Sequence, residues 1–203
     1  MKWTISEDRI PSRAEVKQLA KAVRELAEAA RVNLTRQPVV DWAALHCLLG
    51  SGIRSHELSD LQIGDLRIGH GEASIIIRHG KGDKARVVAI SERLKQHLKM
   101  FVRWKQVRGE RVDPEAPVFQ SERGGRLCTR AIRHQFKRCL RHAGLDKRFG
   151  VHSMRHFHLS ALYARTNDLR LVQDQAGHSS VSVTQAYTHV SLEKRREAVD
   201  RIF

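Results

Sequence analysis

The sequence predicts an α+β fold, mainly α, in which packed helices carry one small three-stranded antiparallel sheet. Three observations lead to it. Apolar residues recur at helical spacing, beginning with Val16, Leu19, Ala20, Val23, Leu26 and Ala27. Between about 66 and 90 the pattern changes to three short strand-like runs, separated by Gly69-His70-Gly71 and by Gly80-Lys81-Gly82-Asp83. Capping residues and glycines then punctuate the helical stretches on both sides of that sheet.

The elements follow in order. Residues 1–11 read as a loose leader. Ser12 and Glu15 form an S-x-x-E capping box, which starts a helix over 12–32. A break at 33–38 precedes a buried helix over 39–49, ended by Gly50-Ser51-Gly52. A short helix starts at Ser55, and strands are expected over 66–68, 73–78 and 85–90. So small a sheet is not a domain by itself. Ser91 caps a helix through 107; Pro114 and Pro117 mark a loop, and Gly124-Gly125 a turn. Thr129 caps a basic helix to 143, and further helices are expected over 152–165 and from Asn167 or Asp168 to Ala176, stopped by Gly177. A short helix over 182–188 carries Tyr187, and a charged helix over 191–203 ends the chain. There is no internal repeat or low-complexity segment.

A chain of 203 residues is most simply one domain with a core of its own. Its 37 Lys and Arg outnumber 22 Asp and Glu, a formal charge of +15, and the default partner for such a balance is nucleic acid. The three cysteines form no CxxC pair, and their odd count suits a reducing compartment without a disulfide framework. MKWTISEDR lacks the apolar centre of a signal peptide, and no apolar run reaches membrane-spanning length. The expected location is cytoplasmic, with no membrane partner. Cys128, His134, Cys139 and His142 do not share one helix face and no HExxH occurs, so no metal site and no cofactor are expected.

The chemistry-bearing residues suit attack of a phenol on a phosphodiester. Such a reaction must deprotonate the phenol, hold and stabilise the phosphorane, and protonate the leaving oxygen. An arginine fork matches phosphate oxygens and stays charged. Histidine and lysine suit the proton transfers. Arg54 lies just after a glycine-rich helix exit, Lys81 in the turn between two strands, and His152 and Arg155 three apart on one helix face. His178 follows a glycine, and Tyr187 precedes a charged tail. The other tyrosine, Tyr163, falls on the apolar spacing of its helix with Leu159 and Leu162 and reads as core. His156 and His158 read as packing beside the site, with His156 supporting it, and His189 as structural.

GIRSHEL, GKGDKARVVAI, HSMRH and LRLVQDQAGHSSVSVTQAYTHV, in that order, resemble the tyrosine recombinase (lambda-integrase) family over nearly the whole of 12–190. Any one of these motifs is weak; six matched positions in order are specific. The resemblance implies the helical catalytic domain of DNA breaking–rejoining enzymes. It implies Tyr187 as nucleophile forming a 3′-phosphotyrosyl link, with Arg54 and Arg155 stabilising the transition state. It also implies Lys81 as general acid, His152 in proton transfer, His178 bonded to the phosphate, and Glu57 buttressing Arg54. Lys84 shares the turn with Lys81, and either lysine is a candidate for the acid, with Lys81 placed first. DNA contacts are expected from Lys84, Arg86, Arg130, Arg133, Lys137 and Arg138, most of them on the basic helix over 129–143 with His134 and Arg141. The implied partner is double-stranded DNA bearing specific recombination sites. The implied assembly is a homo-tetramer on synapsed DNA from a free monomer, with an accessory DNA-binding factor as a further partner.

Departures from the family pattern stand beside the matches. Most members have a separate N-terminal clamp domain; here a few dozen residues precede the core. The expected consequence is weak DNA binding by a lone monomer, in a short recombinase, a mobile-element integrase that uses a partner, or a fragment. Ala176 stands where the family has a larger aliphatic residue, and His158 where small or hydroxyl residues are common. The segment 191–203 is expected either to pack on a neighbouring protomer or to dock on its own domain. The reading is site-specific DNA recombination: integration, excision or inversion. The alternatives are type IB topoisomerase-like relaxation and a catalytically silent DNA-binding regulator of the same fold.

Overall fold

The computed structural model describes residues 10–33, 35–80 and 85–177. The expected helices over 182–188 and 191–203 lie outside them.

Helix α1 (Arg13–Val32) starts at the expected box, with the Glu15 amide donating to Ser12 Oγ at 3.2 Å and the Ser12 amide to Glu15 Oε2 at 2.7 Å. Helix α2 (Arg36–Ser51) begins three residues earlier than the sequence reading placed it. Pro38 lies in its first turn, where a missing N–H breaks no helical bond, so the proline does not delimit the helix. Val39, Val40, Ala43, Ala44, Cys47 and Leu48 are buried around its circumference. That is the pattern of a central helix, and α2 packs against α1 and, further along the chain, α4 (Glu92–Val107), α5 (Thr129–His142) and α6 (Val151–Thr166).

Between them lie α3 (Ser55–Asp60), a single 3-10 turn at Ile63–Asp65 that periodicity did not reveal, and strands β1 (Leu66–Arg67), β2 (Ser74–Ile77) and β3 (Arg86–Ala89). The sheet is antiparallel in the order β1-β2-β3, with Ile75 opposite Leu66 on one side and Val88 on the other. Ile75, Ile77 and Val88 turn into the core.

Helix α4 has the expected Ser91 cap, whose Oγ accepts from the Leu94 amide. Helix α5 is capped by Cys128, so Thr129 is its first helical residue and not its cap. Helix α6 ends at Asn167, in the left-handed region with φ 52°. Asp168 then caps α7 (Leu169–Ala176) by accepting from the Leu171 amide at 3.0 Å. The two residues thus split the work left open by the sequence: asparagine tolerates the left-handed exit, and the aspartate oxygen accepts from the new helix. Leu159, Val172 and Ala176 bury the α6–α7 contact, with Tyr163 packed against it. Among the described residues no helix is long and apolar enough to cross a membrane.

Candidate active site

The site is built on the exit of α2. Gly52 is left-handed (φ 67°) and its amide closes the helix onto the Leu48 carbonyl at 3.1 Å. The His158 ring of α6 lies directly against it; a Cβ at Gly52 would stand 2.6 Å from His158 Cδ2. Both the conformation and the close approach therefore require glycine. His158 is oriented by its Nδ1, 2.8 Å from the Leu49 carbonyl.

This exit delivers Arg54 to the start of α3. Its amide donates to Glu57 Oε2 at 2.7 Å and its Nη1 to Glu57 Oε1 at 2.9 Å. Arg86, from β3, donates to the same carboxylate from Nη1 at 2.7 Å and Nη2 at 2.9 Å. Glu57 is 2% exposed. Burial opposes its ionisation, but the hydrogen bonds from Arg86 and the Arg54 amide, and the charges of both arginines, prevail. They hold the carboxyl at about 2.

Helix α6 supplies the next pair. Gly150 caps it, its amide donating to Ser153 Oγ at 3.0 Å. Arg155 is buried, donating from Nη1 to the Gly52 carbonyl and from Nη2 to the Ala176 carbonyl, both at 2.7 Å. One guanidinium thus ties the exit of α2 to the exit of α7. His152 lies one turn earlier on the same face and reaches solvent. Partial burial of its ring, then the charges of Arg155, Arg133, Arg54 and His56, keep it below the ordinary histidine value. It is therefore neutral at neutral pH, able to accept a proton while surrounded by cations. His156, half-buried, is pushed down to about 4 by burial, His152 and Arg155.

The exit of α7 completes the described part. Gly177 is left-handed (φ 63°), and a Cβ there would lie 2.6 Å from Arg86 Cδ. Gln175 bonds the open edge of β3: its Oε1 accepts from the Ala89 amide at 3.2 Å, and its Nε2 donates to the Ala89 carbonyl at 2.9 Å and to the Ser51 carbonyl at 3.3 Å.

Arg54, Glu57, His152 and Arg155 are thus brought together from α3 and α6, with His156 beside them. Lys81, Lys84, His178 and Tyr187 lie outside the described residues. Of the cations expected on DNA, Arg130 and Arg133 are exposed on α5. They line an open groove of about 750 Å³ with Arg123, His134, Lys137 and Arg138. Lys137 and Arg138 also have intramolecular partners: Lys137 donates to the carbonyls of Lys147 and Phe149, and Arg138 to both oxygens of Asp41. Arg86 is committed to Glu57 in the same way.

The sequence reading missed Arg86 as a partner of Glu57, although a signal was present. Arg86 shares strand parity with Val88 and Ile90, both buried, so it belongs to the inward face. The link made by Gln175 had no such signal, because Ser51, Ala89 and Gln175 are distant in sequence. Lys105, on the same helix as the exposed Arg103 and Arg108, is buried, with Nζ donating to the Pro117 and Val118 carbonyls at 2.8 Å.

Residues 12–194 match the phage integrase family. Tyrosine recombinase XerC of Thermodesulfovibrio yellowstonii is 34% identical over 164 residues, covering 79% of this chain and 54% of that protein. The XerC of Actinobacillus pleuropneumoniae is 32% identical over 160 residues, covering 79% and 50%. The chain thus spans about half the length of these relatives. Among solved structures, XerA recombinase superposes with a TM-score of 0.74 at 26% identity, covering 95% of this chain and 64% of that one. XerH site-specific recombinase bound to its difH substrate in a pre-cleavage complex gives 0.76 at 25%, covering 95% and 54%. The Tn1549 transposon integrase, at 19% identity and 0.77, shares the fold. With its family match running from α1 to beyond α7 and its helices and small sheet superposing on recombinases, the chain belongs to the phage integrase family.

Proposed function

We propose that this chain is a site-specific DNA recombinase of the tyrosine type, working on double-stranded DNA inside the cell. Residues 12–190 form its catalytic domain, and 191–203 form a terminal helix able to dock on a neighbouring protomer in a tetramer on synapsed sites. Tyr187 attacks the scissile phosphate, a 3′-phosphotyrosyl bond forms, and the 5′ oxygen leaves with a proton from Lys81 or Lys84. A 5′-hydroxyl of the partner strand then attacks the same phosphorus and tyrosine leaves. Bond energy is conserved through both steps.

The observation that carries this reading is the meeting of Arg54, His152 and Arg155 around one corner, with Glu57 buried between Arg54 and Arg86. Fixed cations around a neutral imidazole suit a phosphorane, whose charge develops only in the transition state. Arg54 and Arg155 hold that charge, His152 handles a proton near the nucleophile, and His178 bonds a phosphate oxygen. Arg130 and Arg133, in the groove along α5, contact the DNA backbone. XerC relatives and the DNA-bound XerH structure support the substrate class.

A nicked suicide substrate carrying the recombination site tests the assignment. The wild-type chain is expected to form a covalent protein–DNA adduct and Tyr187→Phe none; adducts surviving in the variant would sink it. Relaxation of supercoiled plasmid without site dependence would favour topoisomerase chemistry instead. Comparing Lys81→Ala with Lys84→Ala on the same substrate identifies the acid, the expected loss following Lys81.

A further inference from the structure

Helix α2 ends at buried residues, Ser51 and Gly52, where no further turn bonds its last carbonyls. The Gly52 amide closes the Leu48 carbonyl. Three side chains from other helices meet three more. His158 of α6 reaches the Leu49 carbonyl with Nδ1 at 2.8 Å, Gln175 of α7 donates to the Ser51 carbonyl at 3.3 Å, and Arg155 of α6 donates to the Gly52 carbonyl at 2.7 Å. Arg155 and His158 are three apart and so are neighbours on their helix.

A carbonyl only accepts, so Nδ1 of His158 carries the ring proton and Nε2 is bare. That Nε2 is buried with no hydrogen-bond partner among the described residues. Burial of the ring and the charge of Arg155 hold it below the ordinary histidine value, against the pull of the Leu49 bond. It is therefore neutral at neutral pH. An enclosed neutral ring whose proton is already bonded to a carbonyl is no acid or base for a substrate. Its effect passes through the backbone it touches.

That backbone is the turn between two arginines. A Cβ at Gly52 would stand 2.6 Å from His158 Cδ2, so ring and turn are in direct contact. Ile53 follows, 1% exposed, and then Arg54. A connection so short and so closely packed has little slack. A shift at Gly52 reaches Arg54 along the chain and Arg155 through the Gly52 carbonyl.

We propose that His158 is a positioning residue for the two arginines assigned to the phosphate: it caps the exit of α2 and holds the Gly52 turn between them. The chemical consequence rests on the recombinase reading; the positional one does not.

Two variants separate the cap from the ring. His158→Phe keeps a ring against Gly52 and leaves the Leu49 carbonyl unpaired. His158→Asn places an amide donor where Nδ1 stands. Each is given the suicide substrate in two forms, with a phosphate or an uncharged methylphosphonate at the scissile position. The phosphonate lacks the oxygen charge that the arginines stabilise, so misplaced arginines matter less to it. His158→Phe is expected to slow phosphate cleavage about tenfold, as loss of one buried hydrogen bond does. The methylphosphonate should be slowed far less, and His158→Asn should regain most of the phosphate rate. Equal slowing on both substrates is the mark of a merely structural residue and overturns the proposal, as does an unchanged phosphate rate.

Hydrogen exchange reads the positional part without strand cleavage. The Gly52 amide should exchange about fivefold faster in His158→Phe and not in His158→Asn, the size expected for one hydrogen bond, while the Ile132 amide of α5 keeps its rate. Faster exchange in a protein whose wild type forms no adduct upholds the cap and removes the recombinase reading. Unchanged exchange at Gly52 removes the cap, whatever the wild type does to DNA.

Discussion

Glu57 shows how one buried carboxylate organises the cations around it. With Arg54 on one side and Arg86 across both oxygens, it sets the position of the arginine proposed to hold the phosphate. Its folded value of about 2 lies below the ordinary 4.5. Its ionisation therefore stabilises the fold above pH 4.5, and this contribution is lost as pH falls from there toward 2. Glu57→Gln should destabilise the protein by ~3–5 kcal/mol, the range for breaking a buried pair. In denaturant titrations the wild type should lose stability over that acid window and the variant should not share this component. Equal slopes in both would show that the carboxylate is not the linked group. DNA cleavage should fall as well, because the guanidinium of Arg54 loses its anchor.

At the scale of elements, the helix exits do the positioning. The ends of α2 and α7 are both left-handed glycines, and Arg155 bonds a carbonyl at each end. Gln175 adds a second tie, giving the Ala89 amide and carbonyl partners on the edge of β3 that β2 does not cover. An unpaired strand edge is a liability, and here a side-chain amide stands in for a strand. Gln175→Leu should leave that edge open. Hydrogen exchange at the Ala89 amide should quicken about fivefold, the effect of losing ~1 kcal/mol, while the interior Ile75 amide keeps its rate. Unchanged exchange at Ala89 would show that the bond contributes nothing in solution.

For the whole molecule, a charge of +15 describes affinity for a polyanion without saying which cations supply it. The basic helix α5 divides the task. Arg130 and Arg133 face outward, while Arg138 ties α5 to Asp41 of α2. Replacing Arg130 and Arg133 by Gln together should reduce the salt dependence of duplex binding by about 1.8 in the slope of log K against log salt, roughly 0.9 per phosphate contact. An unchanged slope would remove these two from the interface. Arg138→Gln should instead cost stability, by ~1–3 kcal/mol, because it strips the cation from buried Asp41 and leaves it only the Gln37 amide. The cost stays below that of a fully buried pair because the Arg138 side chain is 39% exposed.

The sequence by itself determined the order and kind of the main elements. Capping chemistry, apolar spacing and glycine stops act over a few residues, so Ser12, Ser91 and Gly177 could be read without a fold. It also picked out Arg54, His152 and Arg155, since residue types at short spacings carry chemical meaning, while Glu57 came through the family resemblance. Local pattern misplaced the start of α2, where Pro38 looks like a break and is a permitted first-turn residue. Only the tertiary structure decided which cations face outward. Lys105 and Arg138 look like any surface charge along the chain, and the inward parity of Arg86 does not name its partner, yet each meets a carboxylate or carbonyl brought from elsewhere in the chain. A buried charge is tolerated only where such partners exist, and those partners come together only on folding.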